Sequence, residues 1–215
     1  MRASISTRVE ITGPAGALQS IVEDVGDTAI GHAVVCHPHP LFGGTMDNKV
    51  VVTVARALHE CGISTVRFNF RGVGASAGAY DEGRGEVDDA GAVADWAARR
   101  WPSLPLVSAG FSFGSYIAVR LALARATRHL ITVAPAVSRF DFAGLARPAT
   151  AWTVVQGEND EVVPTAEVVS WARSLSPPVA LHLVPGAGHF FHGKLIELKE
   201  IVKAEIRGGM SRPGA

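Results

Sequence analysis

The sequence predicts an α/β protein: a mostly parallel central sheet with antiparallel strands at its N-terminal edge and helices on both faces. Three observations carry this. Short β-branched runs alternate with Ala- and Leu-rich segments at helical spacing, which is the rhythm of βαβ units. The first residues break that rhythm, alternating apolar and polar positions around Gly13-Pro14-Ala15-Gly16, as a hairpin does. A Gly-x-Ser-x-Gly run, Gly110-Phe111-Ser112-Phe113-Gly114, falls where a strand candidate meets a helix candidate.

The elements follow in chain order. The hairpin extends to about Glu23. Strand candidates then occupy residues 33–36, 64–68, 104–109, 129–133, 151–155 and 179–184, each a short run rich in β-branched or apolar residues. Helix candidates lie between and after them, near 47–61, 86–100, 113–126, 164–175 and 191–206. Strand followed by helix followed by strand means parallel pairing with both sheet faces covered. Right-handed crossovers place the loops after the strands along one edge, and ligands bind beyond the carboxyl ends of such strands. The reading is one domain, residues 1–207. The last stretch, 208–215, has little to bury and is expected to be a disordered tail.

Composition sets the outer bounds. The 215 residues, 47% hydrophobic and 19% charged, suffice for a sizeable core. Lys+Arg and Asp+Glu are 20 each, so no global field draws the chain to nucleic acid or an anionic membrane, and neither partner is expected. No apolar run approaches bilayer length, and Met1 to Arg8 lack the apolar core of a secretion signal. Cys36 and Cys61 are therefore expected as buried free thiols in a cytoplasmic protein. Nothing in the sequence specifies an oligomeric state.

The chemistry sits in the predicted loops. In Gly110–Gly114 the glycines permit a tight strand-to-helix turn, and Ser112 stands clear of the sheet above a helix N-terminus. A serine hydroxyl needs a base. His189 follows the last strand in Pro185-Gly186-Ala187-Gly188-His189, whereas the rival His192 falls in the following helix's first turn. The base needs an orienting acid, and Gln156-Gly157-Glu158-Asn159-Asp160-Glu161 follows the preceding strand. Asp160 lies at the loop apex and is preferred, with Glu158 and Glu161 as rivals. The order Ser, Asp, His is the α/β-hydrolase order.

Acyl transfer also needs two N–H donors for the oxyanion. One is expected from Phe113. The other is expected from Cys36-His37-Pro38-His39-Pro40-Leu41-Phe42-Gly43-Gly44, where the prolines have no N–H; Leu41 is preferred, with Phe42 and His39 behind it. The His37-x-His39 spacing could suit a metal, but no third ligand cluster accompanies it, so these histidines are expected to brace the loop. No metal or cofactor is expected.

With these pieces in place, the chain resembles the α/β-hydrolase superfamily from about residue 20 to 207. The run from His37 to Lys49, together with Asn69-Phe70-Arg71-Gly72-Val73-Gly74-Ala75-Ser76 and His189-Phe190-Phe191-His192-Gly193, is similar to a small, capless bacterial family of predicted hydrolases. The resemblance implies this fold with a Ser-His-Asp triad. A dienelactone-hydrolase-like enzyme would carry Cys at position 112, and a haloalkane dehalogenase or epoxide hydrolase Asp. Residues 134–150, where caps usually enter, hold no separate lid.

An open pocket is thus expected, with Phe42, Phe113, Phe140, Phe142 and Phe190 as candidate apolar walls, some of them core. Arg71 is a candidate contact for a substrate carboxylate or phosphate, against the commoner role of an arginine at a turn in capping or bridging loops. Asp81, Glu82, Glu86, Asp88 and Asp89 are accounted for by the helix dipole. The leading expectation is a carboxylic-ester hydrolase acting on a small or extended acyl substrate. The alternatives are a thioesterase or peptidase using the same residues, or a catalytically silent binding protein.

Overall fold

The computed structural model describes residues 5–210. Its strands are β1 (Ile5–Gly13), β2 (Gly16–Asp24), β3 (Gly31–Cys36), β4 (Ile63–Phe68), β5 (Leu106–Phe111), β6 (Thr127–Val133), β7 (Ala151–Gly157) and β8 (Ala180–Val184). Its helices are α1 (Lys49–Glu60), α2 (Arg84–Arg100), α3 (Phe113–Ala124), α4 (Thr165–Ser174) and α5 (Leu195–Met210). The strands form one sheet in the order β1-β2-β4-β3-β5-β6-β7-β8. β1 and β2 make the expected hairpin, and β2 runs antiparallel to β4. From β4 to β8 every neighbouring pair is parallel.

Strand alternation divides the core. Val35, Val107, Ala109, Phe111, Ile131 and Val133 face α1 and α5, which supply Val54, Leu58, Leu198 and Val202. Val34, Cys36, Val66 and Phe68 point the other way, toward Val93 and Ala97 of α2 and Ile117 and Leu121 of α3. A third group, with Leu130, Trp152 and Val154, packs under α4 at Val168. With both faces covered, β3, β4 and β5 are buried at every position rather than at alternate ones.

The connection from β3 goes to β4 on one side, whereas β5 lies on its other side. The chain reverses direction across the sheet between β3 and β5, and such a switch point opens a crevice at the carboxyl ends of the two strands. The loop starting at His37 and the turn containing Ser112 are those two ends.

Some boundaries differ from expectation. β5 begins at Leu106, after Pro105, and runs on to Phe111, so the first glycine of the Gly-x-Ser-x-Gly run is strand. α5 starts at Leu195 and continues to Met210, so Gly208 and Gly209 are helical rather than the start of a tail. Tertiary contact accounts for this: the Gly209 carbonyl accepts from Arg128 at 3.0 Å, and a Cβ at Gly209 would lie 2.7 Å from His129 Nδ1. Residues 211–215 of the expected tail lie outside the described residues. Cys36 is buried as expected, Cys61 only partly, and both are free thiols. Residues 134–150 form turns with no helix or strand. Among the described residues no helix is long and apolar enough to cross a membrane.

Candidate active site

Ser112 links β5 to α3 with φ 54° and ψ −116°, a conformation costly for a residue with a Cβ. The surroundings hold it there. A Cβ at Gly110 would lie 2.0 Å from the Gly114 carbonyl oxygen, and one at Gly114 would lie 2.3 Å from that of Cys36. Only glycine permits α3 to begin this close to β3. The Ser112 N–H donates to the Val133 carbonyl at 2.9 Å, and Ser115 Oγ donates to Gly110 O at 2.9 Å. The hydroxyl is thus fixed at the crevice, and the Phe113 N–H opens the first turn of α3, where no intrahelical acceptor exists.

His189 comes from the loop between β8 and α5, Asp160 from the loop after β7. Parallel pairing of β7 with β8 puts both loops at one edge. His189 Nε2 lies 3.2 Å from Ser112 Oγ, and its Nδ1 lies 2.8 Å from Asp160 Oδ2. An ionised carboxylate only accepts, so Nδ1 carries the proton and Nε2 is left to accept from the hydroxyl. Asp160 Oδ1 accepts from the Val162 and Val163 amides at 2.9 and 2.7 Å, and Oδ2 also accepts from Gln156 Nε2 at 3.0 Å. Burial opposes its ionisation, but the hydrogen bonds from His189, Val163 and Val162 outweigh that, and the carboxyl sits below the ordinary aspartate range. Of the rivals, Glu158 is exposed. Glu161 meets His189 at its backbone: Oε2 accepts the His189 N–H at 3.1 Å. His192 stacks on Phe190 instead of reaching Ser112, with ring centroids 6.0 Å apart.

The loop after β3 departs from expectation at Leu41. Its N–H donates to His39 Nδ1 at 3.2 Å and its side chain is 68% exposed. The Phe42 and Gly44 amides both donate to His39 O at 3.1 Å, and Gly43 N–H donates to Pro40 O. A short 3₁₀ turn, Pro40–Phe42, capped by the His39 side chain, consumes these donors. Pro38 and Pro40 have none, and the His39 amide is not among the donors that this turn consumes.

Both histidines brace the loop. His37 Nδ1 donates to Pro38 O at 2.6 Å, and Nε2 accepts the Phe70 N–H at 3.0 Å. Burial pushes its pKa down to about 4, keeping it neutral and able to accept. His39 Nε2 lies 3.1 Å from the Tyr80 hydroxyl. Among the described residues no three His, Cys, Asp or Glu gather as a metal site.

Arg71 is turned to structure rather than to the crevice. Its Nε and Nη2 grip Asp89 of α2 at 3.0 and 2.7 Å, and its backbone N–H donates to the same carboxylate. The expected anion contact is therefore spent inside the protein. Asp89 and Glu86 are fully buried, with Glu86 accepting from the Asp81 and Gly83 amides, so these two acids do more than face a helix dipole. Two of the candidate walls are core: Phe113 is 1% exposed, and Phe142 is 4% exposed and packed edge-on to Tyr116 and Trp171. Phe140 is partly buried against Phe113 and Tyr116, whereas Phe42 and Phe190 stand out at 79% and 40% exposure.

Gln156, Glu161 and Tyr80 join the site without having been singled out for these roles. Glu161 was legible only as a rival to its neighbour, and for Gln156 and Tyr80 the sequence offered no signal beyond position at a strand end or in a loop.

Residues 33–153 match the family described as serine aminopeptidase, S33. A Rickettsia prowazekii protein, itself described as uncharacterized, is 34% identical over 205 residues, spanning 91% of this chain and 86% of its own length. Among solved structures, an α/β serine hydrolase homologue from Coxiella burnetii superposes with a TM-score of 0.89 at 46% identity, covering 93% of this chain and 97% of that one. An α/β serine hydrolase without lid from Xanthomonas campestris gives 0.91 at 41% identity, covering 100% and 99%. With its parallel sheet, antiparallel N-terminal edge and lidless crevice, this chain belongs to the serine aminopeptidase S33 family of α/β hydrolases.

Proposed function

We propose that the protein is a serine-dependent carboxylic-ester hydrolase with Ser112 as nucleophile, His189 as general base and Asp160 as the acid that orients it. The observation that carries this reading is the continuous hydrogen-bonded line from Asp160 Oδ2 through both nitrogens of His189 to Ser112 Oγ, at 2.8 and 3.2 Å. A buried carboxylate held ionised by four donors stabilises the imidazolium that forms when His189 takes the serine proton.

Ser112 Oγ attacks the acyl carbonyl carbon while its proton passes to Nε2. The carbonyl oxygen becomes an oxyanion facing the amides of Phe113 and His39. Collapse expels the alcohol oxygen, which takes the proton from Nε2. Water then attacks the acyl carbon, giving a proton to His189 Nε2; the C–Oγ bond breaks, Ser112 Oγ takes that proton back, and the carboxylic acid departs. The close packing of Gly114 against the end of β3 supports His39 as the second donor, since it brings the two amides' segments together. Phe42, Phe140 and Phe190 offer apolar surface to the substrate, and the small-molecule ester needs no cofactor in this scheme.

Labelling with a fluorophosphonate tests the reading directly. The native protein should lose one serine to the probe, at Ser112, and hydrolyse p-nitrophenyl esters; Ser112→Ala should do neither while keeping its fold. Labelling at another serine would overturn the assignment. A panel of esters, thioesters and aminoacyl amides separates the acyl classes that the same residues serve.

A further inference from the structure

The segment after His189 is built in an unusual way. Phe190 and Phe191 are adjacent, yet Phe191 is fully buried among Leu198 and Val202 while Phe190 is 40% exposed. The chain achieves this by putting Phe191 at φ 52°, a left-handed conformation that a bulky residue adopts only at a cost. The strain is held by burial of the Phe191 ring and by hydrogen bonds on either side, Phe191 N–H to Gly188 O at 3.1 Å and Lys194 N–H to Phe191 O at 2.9 Å. The same positive-φ residue fixes where its neighbour goes. Phe190 stands perpendicular to the His189 imidazole, centroids 5.1 Å apart at 88°, and edge-on to Phe111, the residue before Ser112, at 6.0 Å and 71°. The His192 ring lies nearly parallel behind it at 24°. A single exposed phenylalanine needs no explanation. One held out of the core by a strained neighbour, against the base of the reaction, does.

The chemistry says which part of a substrate meets it. The departing oxygen must lie within hydrogen-bond reach of His189 Nε2 to take its proton. The group attached to that oxygen therefore begins beside the imidazole, where Phe190 is the exposed wall. The carbonyl oxygen, in contrast, faces the Phe113 and His39 amides.

We propose that Phe190, backed by His192, is the leaving-group platform of the site and selects esters whose alcohol portion carries a planar aromatic ring. This rests on ester hydrolysis at Ser112 as proposed above. A flat ring stacks on, or meets edge-on, the paired Phe190 and His192 rings, and gains beyond its apolar area because ring quadrupoles favour those arrangements.

Benzyl acetate and cyclohexylmethyl acetate test it. They form the same acetyl-enzyme and release alcohols of similar size and acidity, so the ratio of their kcat/KM values reports leaving-group contacts during acylation. The native enzyme should favour the benzyl ester by about 2- to 12-fold, the range an aromatic pair supplies. Phe190→Ala and Phe190→Leu should bring the ratio close to one, the leucine variant retaining apolar bulk without a ring face. Phe42→Ala should lower both values in parallel and keep the ratio. A native ratio near one, a preference that survives both Phe190 variants, or turnover of neither ester by protein whose Ser112 still labels would each overturn the platform. Failure of Ser112 to label in the native protein would instead remove the ester-hydrolase reading beneath it.

Discussion

The Glu161 carboxylate holds His189 by its backbone: Oε2 accepts the His189 N–H at 3.1 Å, while the adjacent Asp160 holds the same residue by its ring at 2.8 Å. Two neighbouring acids thus fix one histidine at two points. Glu161 also comes so close to Gly188 that a Cβ there would lie 2.7 Å from Oε2. Glu161→Ala should leave the backbone N–H unpaired, loosen the loop and cost about 10-fold in kcat with little change in KM, in keeping with the worth of one charge-assisted hydrogen bond. Glu161→Gln, whose amide oxygen still accepts, should recover most of the loss. Equal damage by both variants would mean that charge, not positioning, is what Glu161 supplies.

Asp160→Asn preserves shape and tests the orienting role. Its amide can face His189 Nδ1 with a donor, favouring the tautomer whose Nε2 carries the proton and cannot accept from Ser112. The expected loss in kcat is about 10⁴-fold. Steady-state turnover of a p-nitrophenyl ester measures it, and near-normal activity would remove Asp160 from the site.

Arg71 and Asp89 predict a stability effect instead. The Asp89 side chain is fully buried and that of Arg71 12% exposed, joined by two charge-assisted bonds. Removing one partner strands the other's charge, so Asp89→Ala should lower unfolding free energy by about 3–5 kcal/mol in urea titrations. Arg71→Gln should be destabilising too, but should shift KM for neutral and carboxylate-bearing esters alike. A selective rise for the anionic ester would restore Arg71 as a substrate contact.

Two buried histidines make stability depend on pH. Burial pushes both His37 and His129 down to about 4; for His129, Glu205 opposes the shift and Arg128 adds to it. In the unfolded chain each protonates near its ordinary value of about 6.5. Between these values the unfolded state binds more protons, so stability falls as pH drops from about 6.5 to 4 and levels off below. Each histidine contributes a slope approaching about 1.4 kcal/mol per pH unit in that window. His129 Nε2 donates to Thr153 Oγ1 at 2.8 Å, a bond that a glutamine amide can supply. His129→Gln should therefore keep the fold and flatten the slope by about one proton; an unchanged slope would show that His129 protonates normally in the folded state.

Local pattern and local chemistry were enough for much of this molecule. The β-hairpin at Gly13–Gly16, the parallel strands and the turn at Ser112 are visible because periodicity, glycine placement and residue type are properties of neighbouring positions. Chain order then assigned Ser112, Asp160 and His189 to loops at one sheet edge, since parallel topology fixes where such loops lie. What neighbouring positions do not encode is competition for partners. The Leu41 amide looked available until the His39 side chain folded back onto it, and Arg71 looked free until α2 brought Asp89 against it. Phe142 and Phe190 read alike as aromatic residues in loops; one is core and the other stands beside His189 because Phe191 took a left-handed turn into the core. The Leu41 bond itself spans two residues, but the His39 ring that makes it is held by Tyr80, 41 residues on. The other outcomes depend on a contact between residues far apart in the chain, or on strain that only a surrounding core can hold, and so belonged to the tertiary structure alone.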